Sequence, residues 1–258
     1  MEGYALITGA ASGIGKALAQ TFAKQGHRLV LVSKVGELEL LEHQASFLLQ
    51  QYGVAVSVIG VDLEKPNAEI MVYEQVRQLG IKIQYLVNNA GFAIYGAFLD
   101  TSLTDEVEMI HVHVVFMTKM LKLFLPDMIR NGYGRVLNVS STASYMPVFK
   151  MATYAATKAY IASLSKTINL ELKGSGVNVT VLCPGATSTD LPYEARMEHT
   201  LLYRLFVMKP TDVAATGYKA LIGRKAYVIP GIYNKMLVLF SKFVPACVVD
   251  AMVKRMLK

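Results

Sequence analysis

A chain of 258 residues with 53% hydrophobic and 17% charged side chains can bury a sizeable core and is not a disordered polymer. Its formal net charge of +7 admits nucleic acid, an anionic membrane surface or an anionic small molecule as partner, but no basic stripe with interleaved aromatics supports nucleic acid. Two distant cysteines, Cys183 and Cys247, without CxxC or CxxH spacing, argue against a disulfide framework and a zinc site, which makes reduced cytoplasm the expected setting.

No change of composition and no linker divides residues 1–258, so one domain is expected. A signal peptide is not expected, because a strand-like run (YALIT) and a glycine turn begin almost at once. Charge-free apolar runs fall short of the roughly 18 residues that a membrane span needs.

From Tyr4 to Asp62 the pattern reads strand, glycine turn, helix, strand, helix, strand. Short apolar strands alternating with amphipathic helices indicate a parallel sheet covered on both faces. The first turn carries Thr8, Gly9, Ser12, Gly13, Ile14 and Gly15. Glycines there let the backbone approach a pyrophosphate, which then sits at the positive end of the following helix. The second strand ends in Ser33 and Lys34, with no carboxylate before Glu37. A basic residue at that position pairs with a 2′-phosphate, so NADP (NADPH) is favoured and NAD is the alternative.

Asp62 and Leu63 close the third strand and either touch an adenine or cap the turn before Pro66. The fourth strand ends in Asn88, Asn89, Ala90 and Gly91, whose paired amides can tie backbone loops together beside a cofactor. A strongly apolar helix is expected from about Asp105 to Arg130, stopped by Asn131-Gly132 and buried against the sheet.

The stretch Asn138–Lys158 is where the chemistry is expected. Tyr154 and Lys158 lie one helical turn apart, so an ammonium stands beside a phenol and should lower its pKa. Ser141, at the end of the preceding strand, offers a hydroxyl that can hold a carbonyl or alcohol oxygen against Tyr154. A sixth strand, VNVTVLCPG, delivers Pro184, Gly185, Thr187 and Thr189 at its carboxyl end. Residues 188–210 have no clean period and read as a substrate lid. From Tyr227 to Lys258 the pattern suggests an apolar helical face edged by Lys235 and Lys242. That variable segment should pack on the body, form a homodimer or homotetramer contact, or touch a membrane peripherally.

With these pieces placed, the chain resembles the classical short-chain dehydrogenase/reductase (SDR) family over about residues 4–192. The resemblance rests on TGAASGIG at Thr8–Gly15, NNAG at Asn88–Gly91, the Ser141 strand end, YAATK at Tyr154–Lys158 and PGATST at Pro184–Thr189. It implies a single Rossmann-type domain, a doubly wound parallel sheet of about seven strands in three α/β/α layers, and NAD(P)-dependent hydride transfer between carbonyl and alcohol. It also implies Tyr154 as general acid/base, Lys158 on the nicotinamide ribose and Ser141 on the substrate oxygen. One departure stands out. Where the family commonly has Asn in a V-N-V context, supporting a water that links the Lys to solvent, this chain has Val112-His113-Val114. His113 either takes over that hydrogen bond, adding a pH dependence, or is a satisfied core histidine.

Phe92, Ile94, Tyr95, Tyr145, Met146, Phe149, Met151, Tyr193, Met197 and Leu201 fall on or near loops facing the expected site. They favour a hydrophobic carbonyl or alcohol, fatty, steroid-like or polyketide-like, as substrate. The alternative is a dinucleotide-binding regulatory or partner protein without turnover.

Overall fold

The computed structural model describes residues 3–189 and 207–243. Seven parallel strands form one sheet in the order β3-β2-β1-β4-β5-β6-β7. They are β1 Tyr4–Thr8, β2 Arg28–Ser33, β3 Val56–Gly60, β4 Ile83–Asn88, β5 Gly134–Val139, β6 Val177–Leu182 and β7 Tyr227–Val228. The chain winds outward from β1 to β3, then returns to pair β4 on the other side of β1. That reversal opens a crevice at the carboxyl ends of β1 and β4, the place where ligands collect in such sheets.

Side chains alternate across the sheet, so the strands supply two cores. Leu6, Val30, Leu86 and Val136 face α3 (Ala68–Gln78), α5 (Met117–Arg130) and α6 (Ala152–Glu171), meeting Val72, Met120, Phe124 and Ile161. Ile7, Leu31, Val87 and Leu137 face α1 (Gly13–Lys24), α2 (Leu38–Tyr52) and α7 (Pro210–Ile222), meeting Leu18, Phe22, Leu48 and Val213. Three layers, α/β/α, result.

The expected apolar helix runs as α4 (Leu103–Ile110), a π-helical segment (His111–Phe116) and α5. By length and composition the run Leu103–Arg130 could cross a membrane, but half of its most apolar window is buried in the fold. It is the core helix behind the crevice. The sequence pattern does not announce α3, whose buried stripe reduces to Ala68, Val72 and Val76 beside a buried Glu69. A parallel β3-to-β4 crossover requires it nonetheless. Glu69 is held by Lys119 on α5 at 2.7 Å, which fastens α3 to the core helix.

Two boundaries differ from expectation. β3 stops at Gly60, short of Asp62 and Leu63. Tyr227 and Val228 are not helical but pair with Val181 and Leu182 as the seventh strand, because Pro230 and Gly231 delay the helix to α8 (Ile232–Phe243). Of the expected lid, only Ser188, Thr189 and Val207–Pro210 are described. Its two ends are tied there: Ser188 N–H donates to Met208 O, and Met208 N–H to Ala186 O, both at 2.9 Å. Residues 190–206 and 244–258 lie outside the described residues.

Candidate active site

At the end of β1 the backbone turns through Gly9 at φ 64°. A Cβ there would meet Ala90 Cα at 2.8 Å, and one on Gly15 would lie 2.0 Å from Gly9 O, so α1 can approach the turn only with glycine at both places. Ser12 caps α1 with extended backbone and no side-chain hydrogen bond, and the first turn carries no acid. The helix amides and the positive end of the dipole therefore face the crevice uncompensated, which suits an anion.

Asn89 holds this turn in shape. Its side-chain amide donates to Thr8 O at 3.0 Å and to Gly9 O at 3.1 Å. The Thr8 hydroxyl oxygen accepts from the N–H of Asn89 at 3.0 Å and of Ala90 at 3.1 Å. Asn88 has a different task from the one its neighbour performs: it points away from the crevice and donates to Asn138 Oδ1 at 2.8 Å, while Asn138 donates to Ser165 Oγ at 2.8 Å. This buried ladder fixes β4, β5 and α6 to one another.

The crevice is a cavity of about 230 Å³. Of the residues singled out from the sequence, Gly9, Ser12, Gly13, Ile14, Ser33, Lys34, Leu63, Ala90, Gly91, Ser141, Tyr154, Lys158, Pro184, Gly185, Thr187 and Thr189 line it. Gly15, Asp62, Asn88 and His113 do not. Asn89, Glu37, Glu64, Val112, Val139 and Ser140 do, although sequence reasoning did not select them as site residues. Only Asn89 carried a signal, its place beside Asn88 at a strand's carboxyl end.

Two carboxylates temper the reading of Lys34. Its Nζ pairs with Glu64 Oε1 at 3.0 Å, an interaction that raises the lysine's pKa, and the Ser33 hydroxyl donates to Glu37. The basic group at the end of β2 is thus balanced by acids on the following turns.

On the other side of the cavity α6 presents Tyr154 and Lys158 on one face, with Lys158 Nζ 5.4 Å from the Tyr154 ring centre. Ser140 fixes the helix by donating to Lys158 O at 2.7 Å, and Lys158 Nζ reaches Val139 O at 3.4 Å. The Ser141 hydroxyl accepts from Ala143 N–H at 3.1 Å and stands near enough to Tyr154 to favour its phenolate. The expected lowering of the phenol pKa is not found. Burial pushes Tyr154 up, with only the nearby Ser141 hydroxyl pulling it down. The same burial brings Lys158 down to about 8. Desolvation outweighs the mutual field because neither charged form has water around it.

His113 lies behind the cavity wall. The Thr157 hydroxyl donates to Tyr154 O at 2.8 Å, so toward His113 Nδ1, 2.9 Å away, it can only accept. His113 is therefore the Nδ1–H tautomer, and Nε2 keeps a buried lone pair with no partner among the described residues. That atom packs on Gly91, where a Cβ would come within 2.3 Å of it. Burial, then the Lys158 charge, hold the imidazole well below its ordinary pKa. The pH dependence expected of His113 is thus absent near neutrality.

Among the apolar loop residues, Phe92 lines the cavity, Tyr145 and Met146 pack beside Cys183 and Val238, and Met151 is buried. Lys150 Nζ sits over the rings of Tyr95 and Phe149, at 5.5 Å and 5.7 Å. Tyr193, Met197 and Leu201 lie outside the described residues.

A comparison with known families matches residues 3–199 to the short chain dehydrogenase model. The chain belongs to the short-chain dehydrogenase/reductase family. Its solved relatives include a short-chain dehydrogenase from Sphingobium yanoikuyae in complex with NADPH, with TM-score 0.82 and 31% identity over 97% of this chain and 92% of that one. A duck (Anas platyrhynchos) very-long-chain 3-oxoacyl-CoA reductase is 32% identical over 194 residues, 73% of this chain and 61% of the relative. Human 17-beta-hydroxysteroid dehydrogenase type 3 is 35% identical over 197 residues, 74% and 61% respectively. The chain thus spans less than two thirds of the length of these two curated relatives. The family is one of oxidoreductases acting between CH–OH and C=O with a nicotinamide dinucleotide. The open amides of α1 and the glycine-lined turn fit that cofactor's pyrophosphate.

Because the Asn89 side chain holds the two carbonyls of Thr8 and Gly9 in register, Asn89→Ala should weaken NADPH binding by roughly tenfold, the loss of one to two hydrogen bonds. Fluorescence titration of NADPH checks this; unchanged affinity would show that the turn keeps its shape unaided.

Proposed function

We propose that this SDR is an NADPH-dependent reductase of hydrophobic ketones or aldehydes, with Tyr154 as its general acid. The observation that carries the reading is the juxtaposition of Ser141, Tyr154 and Lys158 on one wall of the cavity that the glycine turn closes at its other end. Bound NADPH supplies the hydride. Ser141 and Tyr154 would bind the carbonyl oxygen between them, and the Tyr154 O–H would give its proton to that oxygen during reduction. Lys158 lies close enough to steady the phenolate left behind, and its own readiness to lose a proton near pH 8 makes it the next donor in line. In the alcohol-to-carbonyl direction the same protons run backward.

The NADP preference draws support from Lys34 at the end of β2 and from the NADPH carried by the Sphingobium relative. Binding a 2′-phosphate would draw Lys34 from Glu64, which is exchange of one anion partner for another. The apolar choice of substrate draws support from Phe92 and Val112 in the cavity wall and from the 3-oxoacyl-CoA and steroid names of the two curated relatives.

His113 serves as a positioning residue in this reading. It holds Thr157, and through it the Tyr154 carbonyl on α6, while filling the space above Gly91.

The test is oxidation of NADPH and of NADH against a panel of long-chain, steroidal and aromatic ketones and aldehydes. NADPH should give the higher kcat/KM, a margin that Lys34→Ala erodes. Tyr154→Phe should bind NADPH as the parent does yet lose roughly 100-fold or more in kcat. Firm NADPH binding with no turnover across the panel would instead favour a dinucleotide-binding partner protein. For the positioning role, His113→Asn should keep kcat within about tenfold, 1.4 kcal/mol, since an amide can donate in the same direction. A larger fall in kcat, or a shifted pH profile, would contradict it.

A further inference from the structure

Helix α8 has two unlike faces. On the inner face Val238 packs with Ile229, Val181, Cys183 and Ala162, and the Asn234 side-chain amide donates to Pro230 O at 2.8 Å. Asn234 also abuts Gly185, where a Cβ would come within 2.2 Å of its Oδ1. Gly185 lines the cofactor cavity, so α8 is fastened to the rim of the active site, at the carboxyl ends of β6 and β7. On the outer face Ile232, Met236, Leu239, Phe240 and Phe243 are between 48% and 81% exposed.

We infer that α8 is an interfacial helix that seats the mouth of the site on an anionic lipid surface. Because its inner face is packed against the body of the fold, it can meet lipid only with the outer face, lying in the plane of the surface. The charge around it selects lipid over a second copy of the chain. Along α8 the sequence carries Lys235 and Lys242 and no Asp or Glu. A self-complementary dimer through this face would bring those cations together, whereas an anionic leaflet accepts both the apolar face and the positive border. The purpose of the contact rests on the reading of a hydrophobic substrate: a rim set into lipid receives such a molecule without its crossing water.

Flotation of the full-length protein with vesicles tests this. The protein should float with phosphatidylglycerol–phosphatidylcholine vesicles at low salt, bind pure phosphatidylcholine at least about tenfold less, and be released as salt rises. Leu239→Glu and Lys235→Glu should each lose roughly tenfold or more of the partition while keeping NADPH affinity, which shows that the fold is intact. Failure to float with the anionic vesicles, or equal binding to pure phosphatidylcholine, would overturn the inference. So would a dimer by analytical ultracentrifugation that Leu239→Glu dissociates, since the face would then belong to a second copy. Turnover of a water-soluble ketone in lipid-free buffer tests the catalytic reading separately, because vesicle binding needs no chemistry.

Discussion

A phenol and an ammonium, both stripped of water and carried one turn apart on α6, set the demands that the rest of the molecule meets. Neither is comfortable when charged: Tyr154 is pushed up and Lys158 down to about 8. A pair poised in this way exchanges protons with small changes in surrounding charge, and a helix must hold it steady against the pull to expose either group. The holding is visible in hydrogen bonds. Ser140 grips the Lys158 carbonyl, Thr157 grips that of Tyr154 and is itself held by His113, and Ser165 joins the Asn138 and Asn88 ladder. Through Ser140, His113 and Asn138 these contacts tie α6 to the end of β5 and to the core helix, so the reactive face of α6 is located by the sheet.

The opposite wall follows a separate logic. There the task is to leave groups unpaired: amides of α1 with no capping side chain and no acid in the first turn. Asn89 makes this affordable by stitching Thr8 and Gly9 to the end of β4, so that a turn built of glycines is not slack. The reversal of winding between β1 and β4 brings the two walls to one crevice. A dinucleotide held by the first wall has its reactive end directed to the second.

Much of this was legible in the chain. Six strands and the two walls follow from apolar runs that end in TGAASGIG, NNAG and PGATST, because those turns need small or amide residues wherever backbone approaches backbone. The parts that stayed hidden have physical reasons. Helix α3 buries too thin a stripe to register as periodic. Asn88 and Asn89 are adjacent and alike, and only the strand's pleat sends one to the sheet interior and the other to the turn. Spacing alone put Lys158 beside Tyr154 correctly but could not weigh desolvation against attraction, so the direction of the phenol shift was misjudged. The Lys34–Glu64 pair joins residues thirty positions apart and had no local signature.

The measurement that bears most directly on the buried pair is the pH dependence of single-turnover carbonyl reduction in the parent enzyme and in Lys158→Met. The parent rate should fall as pH rises through about 8, where Lys158 gives up its proton, and apparent values will belong to the pair. In Lys158→Met the rate should be low with no inflection there. An inflection near the same pH that survives the substitution would mean that another group carries the titration, and that the ammonium beside Tyr154 is not what the fold is built to hold.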